Sequence, residues 1–191
     1  MQTHSRIYDS YEQATKAVRD LERAGVPSGD ISLVANQQAR DAYSTDDDGS
    51  STASGAGIGA VVGGGTGLLA GLGILAIPGI GPVVAAGWLA ATALGAVVGS
   101  AAGGLVGALV ETGVSEEDAH FYSEAVRRGG TLLTVRSSQP GDRILAILDG
   151  YDPVDPTTRR NEYTQSGWTK FDANAPMYRP DHSDGERNRR A

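Results

Sequence analysis

Three histidines, His4, His120 and His182, are the side chains best suited to proton transfer or metal binding near neutral pH, but they lie far apart in the chain. They lack the mutual spacing of metal ligands, and His120, on the 115–128 helix, reads as a surface or interface residue. Asp46-Asp47-Asp48 could contact a hard cation, yet the further oxygen ligands such a site needs are not spaced around it, so the triplet reads as solvated linker. Gly65-Thr66-Gly67-Leu68-Leu69-Ala70 fits the dinucleotide pattern G-x-G-x-x-A. That pattern requires a strand before it and an acid ~20 residues beyond it, and no acid follows until Glu111. No phosphate-cradling G-x-x-x-x-G-K-[ST], nucleophile elbow or paired-acid constellation stands out. We therefore expect no catalytic residues, no metal site, no cofactor and no enzymatic activity.

Composition narrows the partners. The chain has 23 Asp and Glu against 16 Lys and Arg, a balance that disfavours nucleic acid, because phosphate binding needs a basic face. Arg159, Arg160, Arg187, Arg189 and Arg190 are interleaved with acids and read as a solvated tail. With no cysteine, disulfides and thiolate chemistry are excluded. Met1 to Asp20 lacks an apolar core segment, so no secretory signal is expected there.

The elements around these residues follow from periodicity. Ser5 to Tyr8 predicts a strand. Ser10 is an N-cap candidate for a helix whose Ala14, Ala17, Val18 and Leu21 share one face, and Ile31 to Ala35 predicts a second strand. Ser115-Glu116-Glu117-Asp118 opens a helix that closes at Arg127-Arg128-Gly129. Thr131 to Val135 is a strand, Pro140 to Leu148 a helix, and Gly150 to Val154 a final edge strand. The order predicts an α+β domain, a ferredoxin-like βαβ–βαβ sandwich with two helices on one face of a four-stranded antiparallel sheet.

That sandwich is interrupted. From Gly49 to Val110 there is no Asp, Glu, Lys, Arg or His, and 18 of these 62 residues are glycine. Gly55, Gly59, Gly63, Gly67 and Gly71 recur every four residues, as do Gly87, Ala91, Gly95, Gly99, Gly103 and Gly107. A spacing of four keeps small residues on one helix face, where a second backbone can approach closely. The two runs mirror each other about Gly79, and Pro78, Gly79, Gly81 and Pro82 supply the turn. The reading is a glycine-zipper α-helical hairpin over 54–110, with arms of about 54–77 and 83–110, long enough at ~1.5 Å per residue to match the ~30 Å bilayer core. Residues 1–36 are then the first half of the α+β domain, 37–53 an acidic linker, 111–156 the second half, and 157–191 a disordered tail poor in aliphatics. In that tail Trp168, Phe171, Met177 and Tyr178 could anchor on a partner.

Three stretches resemble the general stress protein 17M-like family of heat- or low-temperature-induced bacterial proteins: Asp9-Ser10-Tyr11-Glu12-Gln13-Ala14 on to Val34, Leu75-Ala76-Ile77-Pro78-Gly79-Ile80-Gly81-Pro82-Val83, and Gly113-Val114-Ser115-Glu116-Glu117-Asp118-Ala119 with Tyr122 and Arg127-Arg128-Gly129-Gly130. The resemblance covers about residues 5 to 155 and implies a stress-associated protein; it implies no reaction and no catalytic residues. The functional expectation is a non-enzymatic stress-response protein whose hairpin meets membrane lipid or other copies of itself. A homo-oligomer, a cytoplasmic location and association at the inner membrane go with it. The alternative is a soluble homo-oligomeric module that binds a small ligand or regulates.

Overall fold

The computed structural model describes residues 1–37, 73–96, 104–176 and 178. Its element order is β1 (Gln2–Tyr8), α1 (Tyr11–Arg23), β2 (Ile31–Asn36), β3 (Gly73–Ile77), β4 (Gly81–Ala86), α2 (Trp88–Ala96), α3 (Leu105–Glu111), α4 (Glu116–Arg127), β5 (Thr131–Ser137), α5 (Gly141–Asp149) and α6 (Pro156–Gln165). The strands form one five-stranded sheet, ordered β1-β5-β2-β4-β3, in which every neighbouring pair is antiparallel. β1 and β2 both run antiparallel to β5, which sits between them, so α1 joins two parallel strands across an inserted third.

Local chemistry explains most boundaries. The Ser10 side chain accepts from the Glu12 N–H, and α1 buries Ala14, Ala17, Val18 and Leu21, the face the 3.6-residue period selects. The Ser115 side chain accepts from the Asp118 N–H and starts α4, with three acids in the first turn where the helix dipole favours them. Leu132 and Leu133 are fully buried and point to opposite faces, so helices must cover both sides of the sheet. On one side α1 and α5 pack over Tyr8, Ile31, Leu33, Leu133 and Val135. On the other, Leu89 of α2, Leu105 and Leu109 of α3, and Phe121 and Val126 of α4 pack over Ile7, Val34, Val83 and Leu132. Each such aliphatic or aromatic side chain contributes about 1.5–3 kcal/mol of burial. The architecture is thus α+β in three layers, not helices on one face.

The glycine-rich stretch departs most from expectation. Its mirror about Gly79 is present, but between strands. Gly73 pairs with Ala85, Leu75 with Val83 and Ile77 with Gly81, all centred on position 79. The ends of both expected helical arms are therefore β-structure, and the second arm is broken at Gly87 before α2. The β-branched side chains of Ile74, Ile77, Val83 and Val84 suit a pleated surface, and edge pairing onto β2 gives β4 a second ladder that an isolated helical hairpin would lack. Pro82 is placed where a strand tolerates it, near the start of β4. The zipper positions Gly55, Gly59, Gly63, Gly67, Gly71, Gly99 and Gly103 lie outside the described residues, as does the linker from residue 38 to 53. Among the described residues no helix is long and apolar enough to cross a membrane.

Two further corrections concern the C-terminal end. Residues 150–154 form no strand; the Val154 N–H donates to the Ile7 carbonyl at 2.8 Å, a single bond beside β1. Pro153 has no N–H to give, which limits any ladder there. The stretch from 157 is not wholly a disordered tail. Asp155 caps α6 by accepting from the Thr158 N–H, Pro156 occupies its first turn, and the chain continues along the body to Pro176.

Candidate functional site

Two of the named small residues, Gly79 and Gly87, stand where another stretch of backbone comes close. Gly87 has φ +87, and a Cβ there would stand 2.1 Å from the carbonyl oxygen of Ile31 and 2.9 Å from the Ser32 Cα. The close neighbour of Gly87 is strand β2, not a second helix. Gly79 has φ +76, and a Cβ there would fall 2.7 Å from both the Ala173 Cα and the Asp172 carbonyl oxygen. The β3–β4 turn made by Pro78, Gly79, Ile80 and Gly81 is thus covered by the C-terminal segment. Pro82 opens to solvent beside it. Ala91 is exposed on α2, Gly95 lies near the end of the same helix, and Gly107 lies within α3. The expected Gly71–Gly87, Gly67–Ala91, Gly63–Gly95 and Gly59–Gly99 contacts each involve a residue outside the described set.

The densest polar arrangement lies on α4. Glu124 is 1% exposed, an unusual place for a carboxylate unless it is paired. Arg127 Nη2 donates to its Oε1 at 2.7 Å, Arg127 Nε to its Oε2 at 2.8 Å, and Arg128 Nε to Oε1 at 2.6 Å. The helical i, i+3 and i, i+4 spacing places both guanidinium groups on one carboxylate. Hydrogen bonding to Glu124 raises the Arg127 pKa above its ordinary value. The sequence carried this signal as Glu124-x-x-Arg127-Arg128, where the arginines alone read as a helix-closing pair.

Both arginines then reach the C-terminal segment. Arg128 lies 4.2 Å from the centroid of the Tyr163 ring and donates to the Ser166 hydroxyl at 3.3 Å. Arg127 donates to the Pro176 carbonyl at 3.3 Å, and the Tyr178 ring lies within 5.7 Å of both guanidinium carbons. Tyr163 is buried, which raises its pKa; its ring sits 6.0 Å from Phe121 on one side and 6.0 Å, edge-on, from Trp168 on the other. Phe171 is buried in the same cluster as Ile77, Ile80 and Phe121, and Trp168 packs against it. At the rim Arg159 makes a two-pronged contact with Asp9 at 2.7 and 2.8 Å, and Arg160 pairs with Glu117 and Asp118. The aromatic anchors Trp168, Phe171 and Tyr178 therefore seat on the chain's own body.

The groups capable of chemistry are dispersed. His120, half-buried on α4, reaches Glu116 at 3.8 Å, His4 lies on β1, and His182 falls outside the described residues. Arg136 stacks 4.3 Å from the Trp88 ring centroid and pairs with Asp30 at 3.3 Å. Among the described residues no group of three or more His, Asp or Glu is placed to hold a metal ion. An open groove of about 410 Å³ is lined by Met1, Gln2, Ser137, Ser138, Gln139, Pro140 and Gly141, with no carboxylate, imidazole or guanidinium in its wall. Compared with known protein families, with curated proteins and with solved structures, the chain matches none of them.

Proposed function

We propose that this is a non-enzymatic bacterial stress-response protein that acts by association, chiefly with other copies of itself, through its charge-free segment. The observation that carries the reading is where that segment enters the fold. Among the described residues β3 is the edge strand of the sheet, and Ile74 on it is 60% exposed. An exposed apolar edge strand offers a row of backbone donors and acceptors together with apolar side chains, the features that favour pairing with another chain. The residues preceding β3 carry the zipper glycines Gly55, Gly59, Gly63, Gly67 and Gly71 and no charge.

Membrane-surface association, at the inner face of a cytoplasmic membrane, is the second reading. Ile58, Val61, Val62, Leu68 and Leu69 interleaved with the zipper glycines favour it, since such a segment gains by leaving water. The ferredoxin-like βαβ–βαβ reading of the fold belongs here as well. It is supported by the position of β5 between β1 and β2, and by Val154 beside β1 where a further strand would run.

Light scattering on the purified chain without detergent, together with a carbonate wash of cell membranes, tests both. A defined soluble multimer is expected, and Gly63→Leu with Gly95→Leu should reduce its mass by blocking close approach. Retention in the washed membrane would favour the second reading. A monomer found wholly in the soluble fraction would overturn both.

A further inference from the structure

The C-terminal strap, residues 156–176 with Tyr178, is attached in a way that sets it apart from the rest of the fold. It adds no strand to the sheet. Of the ten residues of α6 only Tyr163 is buried. Its apolar hold is concentrated in Tyr163, Trp168 and Phe171, seated against Phe121, Ile77 and Ile80. The remaining hold is polar: ion pairs at the rim from Arg159 to Asp9 and from Arg160 to Glu117 and Asp118, and contacts of the Glu124-bound Arg127 and Arg128 with the Pro176 carbonyl, the Ser166 hydroxyl and the Tyr163 ring. Exposed ion pairs of this kind are weakened by salt, because the screening length falls from ~10 Å at 0.1 M to ~3 Å at 1 M. The connection to α5 is short and irregular, with Asp152 at φ 55 and Val154 tied to Ile7 by one backbone bond.

We propose that the strap is a detachable latch, and that the face it covers takes the same segment from a second copy of the chain when its own has left. The occupant is identified by the seat itself. The pattern Arg159-Arg160-x-x-Tyr163-x4-Trp168-x-x-Phe171 matches an acidic rim of Asp9, Glu117 and Asp118 around an apolar centre of Phe121, Ile77 and Ile80. A second copy supplies the identical contacts, so exchange between copies keeps every interaction and is driven by concentration alone. The bonds from Arg127 and Arg128 to Glu124 are made within α4 and use no atom of the strap, so the body itself positions the two guanidinium groups of the seat. This route to association uses a different part of the chain from the charge-free segment, and either can fail alone.

The test uses the full-length chain carrying Trp168→Ala and Phe171→Ala, and a fluorescein-labelled synthetic peptide of residues 156–178. Fluorescence anisotropy should show saturable binding to the double variant, at least tenfold tighter than to the wild-type chain, whose seat is filled. A peptide with Phe171→Ala, or with Arg159→Ala and Arg160→Ala, should bind at least tenfold more weakly. A double variant with native circular dichroism that binds none of the peptides, or binds all three equally, would overturn the proposal. Should the double variant fail to fold, hydrogen exchange on the wild-type chain decides. Amides of Arg159 to Ser166 should exchange at least tenfold faster than those of Leu132 to Val135, and faster still in 1 M salt. Equal exchange in the two segments, or no response to salt, would overturn it.

Discussion

The carboxylate of Glu124 accepts from Arg128 Nε at 2.6 Å while the same guanidinium sits over the Tyr163 ring, 4.2 Å from its centroid, so one buried acid fixes the group on which the C-terminal strap rests. The pair is made within one helix, at i and i+4, but its consequence is felt at Tyr163, far along the chain on α6. Removing the acid leaves two guanidinium groups, 14% and 17% exposed, without their partner. Glu124→Ala should cost on the order of 3 kcal/mol in urea unfolding, in line with breaking a buried pair from one side. Glu124→Gln, which keeps an acceptor, should cost less. Equal stability of Glu124→Ala and wild type would show that Arg127 and Arg128 do not depend on this residue.

Gly87 and Gly113 have nearly the same φ, +87 and +88, but different surroundings. Added bulk at Gly113 meets nothing within 4 Å, whereas at Gly87 it meets the backbone of β2 at 2.1 Å. Gly113→Ala should therefore cost only the left-handed backbone penalty, about 1–2 kcal/mol. Gly87→Ala should cost at least about 3 kcal/mol, because β2 is a central strand and cannot move aside. Thermal unfolding of the two variants side by side checks the ordering.

Phe121 and Phe171 share one apolar cluster but differ in how they are held. Phe121 is on α4 within the body, and Phe121→Ala should cost the ~3–5 kcal/mol usual for a buried phenylalanine. Phe171 lies on the strap, and its loss can cost no more than the strap's own docking. Phe171→Ala should fall below ~3 kcal/mol, and adding Trp168→Ala should cost less than the sum of the two single changes. Additive losses in denaturant titrations would mean that the strap stays docked throughout.

Asp155 caps α6, and its hydrogen bond from the Thr158 N–H holds its carboxyl below the ordinary carboxylate value. A depressed folded-state pKa adds stability above the unfolded value of ~3.9, and this is lost as the pH falls through the folded-state value. Trp168 fluorescence should report the strap loosening over that acid range. Asp155→Asn keeps the capping oxygen and removes the titration, so its acid transition should be shallower. Asp9, Glu117 and Asp118 face the same helix and are unchanged in the variant, so the difference isolates Asp155. Superimposable acid profiles would exclude this contribution.

The sequence by itself determined the elements whose signals are local. Ser10 and Ser115 start helices because a hydroxyl can accept from an N–H two or three residues on. Ala14, Ala17, Val18 and Leu21 face the sheet because of helical period alone. The pseudo-mirror about Gly79 was also legible, since it needs only counting along the chain. What the mirror joins was decided by tertiary structure: a run of small and branched apolar residues satisfies its backbone equally well as helix or as strand, and the free edge of β2 made β4 a strand. The number of helical layers was likewise settled by β2 and β5, which are buried on both faces over Ile31 to Ala35 and Thr131 to Val135 and so need cover on both sides. The C-terminal strap had too few aliphatics to announce a core, because its three aromatic anchors bury themselves in apolar surface supplied by α4 and the β3–β4 turn. Glu124 shows the same division: its spacing to Arg127 and Arg128 is written in the sequence, but its burial and the meeting of Arg128 with Tyr163 are properties of the folded chain.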